Sequence, residues 1–265
     1  LLTFKMKDKK ICVSQILHFT VNDGEGIRST VFLSGCPLRC LWCCNPETWT
    51  PVPKESMLPS GMREIMGRFM TVEEIVRELK RYFIFYRASG GGVTWSGGEP
   101  FFFPESLRLL VNNLSRFGIS QAVETSCFFN WEEVADIVAK LDFIFADIKH
   151  MDCLEHKRLT GVENSVILDN IRRIGATGIE TVIRVPLIKD VNDSEENIRH
   201  TARFVYQHMT WKKMEMLPYH NLGTFKYSLL GLEEFRHDFK APSKEHIRRL
   251  EEIIAEEGVE VVRYK

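Results

Sequence analysis

Long apolar runs are missing from this chain. Nothing approaches the roughly 20 consecutive apolar residues that cross a bilayer, and the first ten residues mix Leu, Lys and Asp without a signal-peptide core. A soluble, cytoplasmic protein without a membrane partner is expected; it opens on Leu1 rather than Met, which is compatible with a trimmed start. An excess of one charge is also missing. With 35 Lys+Arg against 36 Asp+Glu the formal net charge is −1, so a protein that coats nucleic acid is disfavoured. Fixed-period repeats, low-complexity tracts and an interdomain linker are absent as well. What remains is 265 residues at 44% hydrophobic and 27% charged, enough to bury a substantial core and to exclude disorder for most of the length.

Helical and strand periodicities alternate from about residue 70 onward. Thr71 with Glu74 forms a capping box ahead of an apolar stripe of Ile75, Val76, Leu79, Tyr82 and Phe83. Strands are expected at 93–96, 119–123, 143–146, 181–185, 213–217 and 260–262, with helices at 104–117, 131–140, 166–174, 194–208 and 243–257 between them. Such alternation implies an α/β fold with a parallel sheet and outer helices. Adding early strands at 11–19 and 30–33 gives about six βα units, fewer than a complete eight-unit barrel, so a partial, TIM-like (βα)6 barrel is expected. One domain spanning 1–265 is expected. Residues 49–67 hold Pro51, Pro53, Pro59, Gly61 and Gly67 but no cysteine and no clear period, and read as a loop insertion.

Polar residues recur where apolar strands end: Glu99, Glu124, Asp147 with Lys149, Arg184 and His220. In a parallel barrel these positions share the C-terminal rim, where sites are built. Any one of them is an ordinary strand end, but five from successive units point to a shared polar pocket.

Seven cysteines are an odd number, and Cys36, Cys40, Cys43 and Cys44 crowd into nine positions. In a reducing compartment that crowding points to metal rather than disulfides. The spacing C-x3-C-x2-C directly follows a strand, so one loop can wrap one centre, and thiolates suit iron–sulfur clusters or zinc. Three cysteines on a four-iron cubane leave one iron free for substrate. The alternative is structural zinc, with Cys44 or His18 as fourth ligand, although zinc sites favour two separated pairs. Cys12, Cys127 and Cys153 read as small buried apolar residues.

Cys36, Cys40 and Cys43, with Trp42 before the last, resemble the C-x3-C-x-aromatic-C signature of radical S-adenosylmethionine (SAM) enzymes. The run Asp23-Gly24-Glu25-Gly26-Ile27-Arg28 resembles that of the activating enzymes of glycyl-radical enzymes, as do Gly90 to Pro100, Asp147-Ile148-Lys149 and Leu217-Pro218-Tyr219-His220. The resemblance spans nearly the whole chain. It implies a radical SAM core, one [4Fe–4S] cluster on Cys36, Cys40 and Cys43, and SAM chelated at the open iron. By motif, Trp42, Cys43 and Cys44 would lie beside SAM, Gly98 and Glu99 near its amino group, Asp147, Ile148 and Lys149 in contact with it, and His220 near its adenosine part. Arg184 and Glu124 match further cofactor positions. Glu124, Thr125 and Asp147 correspond to a monovalent-cation site, where Glu124 stands in place of the more usual aspartate.

The implied activity is reductive cleavage of SAM followed by removal of hydrogen from a glycine Cα in a glycyl-radical enzyme, with a flavodoxin or ferredoxin-type protein as electron donor. No side chain is then needed as acid or base. Two alternatives stay open: a radical SAM enzyme acting on a small molecule or nucleotide, and a zinc-stabilised interaction module. The lack of cysteine in 49–67 sets the chain apart from relatives with an inserted ferredoxin-like segment.

Overall fold

The computed structural model describes residues 10–264. In chain order the early elements are β1 (Lys10–Thr20), β2 (Arg28–Leu33), β3 (Lys54–Met57), β4 (Arg63–Met66), β5 (Arg68–Thr71), α1 (Val72–Lys80) and α2 (Phe83–Ser89). Then follow β6 (Gly92–Gly97), α3 (Pro104–Ser115), β7 (Ser120–Thr125), α4 (Trp131–Val138), β8 (Phe143–Asp147), α5 (Cys153–Thr160) and α6 (Ser165–Thr177). The chain closes with β9 (Glu180–Leu187), α7 (Glu195–His208), β10 (Lys213–Pro218), α8 (Phe225–Leu229), α9 (Lys244–Glu256) and β11 (Glu260–Val261). One sheet takes nine strands in the order β11-β10-β9-β8-β7-β6-β2-β1-β5. From β2 through β6 to β11 neighbouring strands pair parallel, and among the described residues the end strands β5 and β11 do not pair with each other, which makes it a partial barrel.

Two expectations need correction. β1 is not a βα unit: it pairs antiparallel with β2, because the short link over 21–27 allows a hairpin but no crossover. The segment 49–67 is not simply a loop, since β3 and β4 pair antiparallel around Gly61 at φ +81°. Its strands are mostly exposed on both faces, so no apolar alternation announces them.

Local chemistry sets the helix starts. Thr71 accepts from the Glu74 amide while the Glu74 carboxylate accepts from the Thr71 amide at 2.8 Å, the expected capping box. Ser194 and Ser243 cap α7 and α9 in the same region where those helices are expected. The stripe running on to Phe83 is divided: α1 stops at Lys80 and α2 restarts at Phe83.

Period-two alternation along the strands then separates core from lumen. Val93 and Trp95 of β6, Val123 of β7, Ile183 and Val185 of β9, and Met214 and Met216 of β10 face the helices and are buried in the main core. Their neighbours Ser96, Glu124, Arg184 and Glu215 face the lumen and line a common cavity. Below them Ala122, Phe143, Phe145 and Val182 form a separate apolar cluster against Tyr264. No described helix is long and apolar enough to cross a membrane.

Candidate active site

The loop after β2 carries the cysteines, and its backbone is tied down on two sides. The Gly35 and Cys36 amides donate to the carbonyls of Thr48 (2.7 Å) and Trp49 (3.3 Å); those of Arg39 and Leu41 donate to Thr160 (2.7 Å) and Leu159 (3.0 Å) in the last turn of α5. The loop thus satisfies helix-end carbonyls that would otherwise lack partners. Gly98 presses against its base: a Cβ there would sit 2.4 Å from the Gly35 carbonyl oxygen, so only glycine fits. The Gly98 and Glu99 amides donate to Leu33 and Gly35, fastening the rim of β6 to the cysteine loop.

Cys36, Cys40, Cys43 and Cys44 all line one cavity of about 510 Å³ at the C-terminal rim, together with Trp42, Gly98, Glu124, Thr125, Asp147, Lys149, Arg184 and His220. The structure therefore brings together all but two of the site residues expected from the sequence. Ile148 is buried in the core below. Glu99 is 1% exposed and lies outside the cavity lining. Its carboxylate accepts from the Thr125 hydroxyl (2.8 Å), the Ser126 amide (2.8 Å) and hydroxyl, and the Phe101 amide (3.2 Å), which braces the end of β7 against the β6 rim. Burial pushes its carboxyl up, and these hydrogen bonds pull the other way.

Burial raises the thiols of Cys36 and Cys40 to about 12 and that of Cys44 to about 11, and lifts Cys43 as well. Metal loading must therefore displace protons from all three thiols of the triplet. Three soft thiols carried by one loop around one cavity suit an iron–sulfur cluster. His18 is excluded as a ligand to this loop. It lies on β1, bonded to the Ser29 hydroxyl at 2.7 Å and stacked on Tyr82 at 3.7 Å.

The polar wall is organised as ion pairs. Lys149 meets Asp147 at 2.7 Å. Burial works against its ammonium, but the Asp147 carboxylate, by charge and by hydrogen bond, holds it in the charged form. An ammonium and a carboxylate facing one space are the complement of an amino-acid zwitterion. Arg184 bridges Glu215 (2.7 Å) and Glu124 (2.5 Å), donates to the Asn22 carbonyl (3.0 Å), and stacks on Phe145 with its guanidinium carbon 3.3 Å from the ring centre. Burial opposes its charge, and the two glutamates restore it. Glu124 also accepts from Ser96, Thr125 donates to Glu99 and Asp147 is paired with Lys149, so all three members of the expected cation triplet are already engaged.

Sequence reasoning missed Asn22, Glu215 and Tyr264, which line the same cavity, and gave no site role to Asp23 and Tyr219 of the quoted motifs, which line it too. Glu215 was findable: an acidic residue between Met214 and Met216 in a strand must face away from the helices. Arg28 of the Asp23–Arg28 run goes elsewhere. It is 2% exposed and donates to the Thr94 hydroxyl (2.8 Å) and Val93 carbonyl (2.8 Å), locking β2 to β6; burial lowers its guanidinium to about 10.

A further clamp comes from α8, which no periodic signal announces. Tyr227 donates to the Cys43 carbonyl at 2.9 Å, and Lys226 bonds Glu47 (2.6 Å) and Asn45 (2.8 Å) just past the cysteines. Gly223 lies against Cys44, where a Cβ would come within 2.5 Å of the Cys44 carbonyl oxygen. The Cys44 thiol itself points to the Trp42 carbonyl at 3.8 Å.

Residues 30–204 match the model of the radical SAM superfamily. The (2S)-3-sulfopropanediol dehydratase activating enzyme of Klebsiella oxytoca is 32% identical, over 94% of this chain and 96% of that protein. That alignment runs to 303 positions, more than this chain has residues, so the relative carries segments absent here. The pyruvate formate-lyase-activating enzyme of Clostridium pasteurianum is 35% identical, over 88% of this chain and 92% of that one. Among solved structures, a domain of the pyruvate-formate lyase-activating enzyme from Bacteroides vulgatus superposes with a TM-score of 0.53 at 30% identity, covering 65% of this chain and 98% of that domain.

Proposed function

Since the chain belongs to the radical SAM superfamily, among the activating enzymes of glycyl-radical enzymes, we propose that it installs a glycyl radical on a partner enzyme at the expense of SAM. The family implies SAM and a [4Fe–4S] cluster. When bound, these supply reductive cleavage of SAM and the hydrogen-abstracting radical.

What this chain contributes is binding and orientation. Cys36, Cys40 and Cys43 hold the cluster, and Cys44 stays a wall residue because a fourth thiolate would close the iron that SAM needs. Lys149 would bind the methionine carboxylate and Asp147 its ammonium, while Gly98 would allow close backbone approach. Trp42 and His220 would flank the cofactor. Arg184 supplies at Glu124 the positive charge a monovalent cation would bring, so the proposal includes no cation at Glu124, Thr125 and Asp147. The apolar floor of Phe143 and Phe145 keeps water and stray hydrogen donors from the base of the lumen. The reading takes residues 1–265 as one domain, working in the cytoplasm with a flavodoxin or ferredoxin-type donor.

The observation that carries this reading is the meeting of three thiols with the Asp147–Lys149 pair around one cavity. The test is electron paramagnetic resonance of a candidate glycyl-radical enzyme after anaerobic incubation with the iron-loaded protein, SAM and reductant. A glycine-centred doublet is expected. Its absence with every cognate partner, alongside turnover of a small molecule, refutes the proposal; colourless, iron-free protein holding zinc refutes the cluster itself.

A further inference from the structure

We propose that Trp49 is a positioning residue for the cluster: its indole N–H, donated to the Cys43 sulfur, makes the bound cluster easier to reduce. This rests on the reading that Cys36, Cys40 and Cys43 hold a [4Fe–4S] cluster, and adds to it a side chain that sets the potential.

Trp49 reaches two of the three ligand positions. Its backbone carbonyl accepts from the Cys36 amide at 3.3 Å, while its own amide donates to the Pro46 carbonyl at 3.2 Å across the single 3₁₀ turn Pro46–Thr48. Its side chain lines the same cavity as the thiols. There the Cys43 sulfur accepts from the Trp49 indole and from the Asn45 amide. An indole N–H can only donate, so the direction of this bond is fixed. Cys36 accepts from the Leu38 amide and Cys40 from its own, both backbone groups of the loop. Cys43 thus has a side-chain donor, which a substitution can remove.

The indole is held on several sides. Tyr227 and Phe235 meet it in T-shaped contacts, with ring centres 6.0 and 5.6 Å away. The Arg39 guanidinium carbon lies 5.2 Å from the ring centre, and the same side chain donates to the carbonyls of Cys36 (2.8 Å) and Leu38 (2.7 Å). Tyr227 also donates to the Cys43 carbonyl at 2.9 Å, so the phenol fixes the backbone of Cys43 while the indole meets its sulfur. Turning the ring to aim the N–H elsewhere would break these contacts. A donor to a ligating sulfur draws negative charge from it, and hydrogen bonds to the sulfurs are among the quantities that set an iron–sulfur potential. The reduced cluster carries one more negative charge than the oxidised one, so the Trp49 N–H favours the reduced form.

The test is a redox titration of the iron-loaded protein, read by electron paramagnetic resonance of the reduced cluster without SAM or partner. Trp49→Phe keeps a ring between Tyr227 and Phe235 but lacks the N–H. Placing 3-benzothienylalanine at position 49 keeps the whole bicyclic shape and also lacks it, so it decides the matter if Trp49→Phe fails to load iron. Each change lowers the reduced-to-oxidised ratio at a fixed potential roughly tenfold, which is about 59 mV for one electron. The iron–sulfur(Cys) stretch in the resonance Raman spectrum moves to higher frequency. Phe235→Leu loosens the ring but leaves the N–H, and its potential stays at the wild-type value. An unchanged potential or an unmoved stretch in the benzothienylalanine protein overturns the proposal. So does an equal shift in Phe235→Leu, since packing alone then explains it. Wild type that titrates normally but forms no radical on any partner counts against the functional reading instead, and wild type that takes up no iron removes both.

Discussion

Lys226→Met removes one end of the clamp that holds the cysteine loop. In the native fold Lys226 sits 2.6 Å from Glu47, with side chains 17% and 7% exposed. The second Glu47 carboxylate oxygen is buried without a hydrogen-bond partner, so loss of the ammonium leaves that group with no counter-charge. At an effective dielectric near 20, two charges ~2.6 Å apart attract by roughly 6 kcal/mol, most of which offsets their desolvation. Orphaning one member of a buried pair costs about 3–5 kcal/mol, and the partial exposure of Lys226 brings the expected loss to ~2–3 kcal/mol. For a chain of this length that lowers the melting temperature by roughly 5 °C. Differential scanning fluorimetry of iron-free protein measures it directly. One control separates charge from packing. Glu47→Gln with Lys226→Met should recover most of the loss, because neither charge then remains buried alone. In loaded protein Lys226→Met should release iron faster to a chelator, since Tyr227 next to it holds the Cys43 carbonyl. An unchanged melting temperature, or a double variant no better than the single one, would refute this account of the clamp.

Alanine at Cys36, Cys40 or Cys43 should each strip most bound iron, whereas Cys44→Ser should retain about four irons per chain by iron assay; the reverse pattern would show the ligand set to be wrong. Lys149→Ala should weaken SAM binding by isothermal titration while cluster content holds, and unchanged affinity would remove Lys149 from the pocket. His156 is 1% exposed, and burial depresses its imidazole, partly against the bond to the Val162 carbonyl at 2.7 Å. Protons therefore bind the unfolded chain first, so stability should be level above about pH 6.5 and fall below it. In His156→Gln the slope of stability against pH between 7 and 5 should flatten, and an identical slope would place the acid sensitivity elsewhere.

Much of the architecture was legible because its causes are local. Thr71, Ser194 and Ser243 cap helices through contacts three residues long. The alternation of strands and helices follows side-chain periodicity, but β1 was counted as a βα unit although the seven residues before β2 leave room only for a hairpin. The three-cysteine spacing and the rim positions of Glu124, Asp147, Lys149, Arg184 and His220 were equally readable. α2, α5 and α8 escaped notice, being short. So did the β3–β4 hairpin, which lacks a buried face.

By itself, then, the sequence determined the α/β alternation, the cysteine triplet and the set of polar rim residues, since each is written within a few neighbouring positions. Tertiary structure alone decided how those residues are employed. Arg184 finds Glu215 and Glu124 across 31 and 60 residues, and Lys226 finds Glu47 across 179. Glu99, at the rim by its position in the chain, is drawn beneath it by Thr125 and Ser126, more than 25 residues away. The physical reason is that a buried charge must find its partner wherever the closing barrel brings one, and no local pattern records that choice.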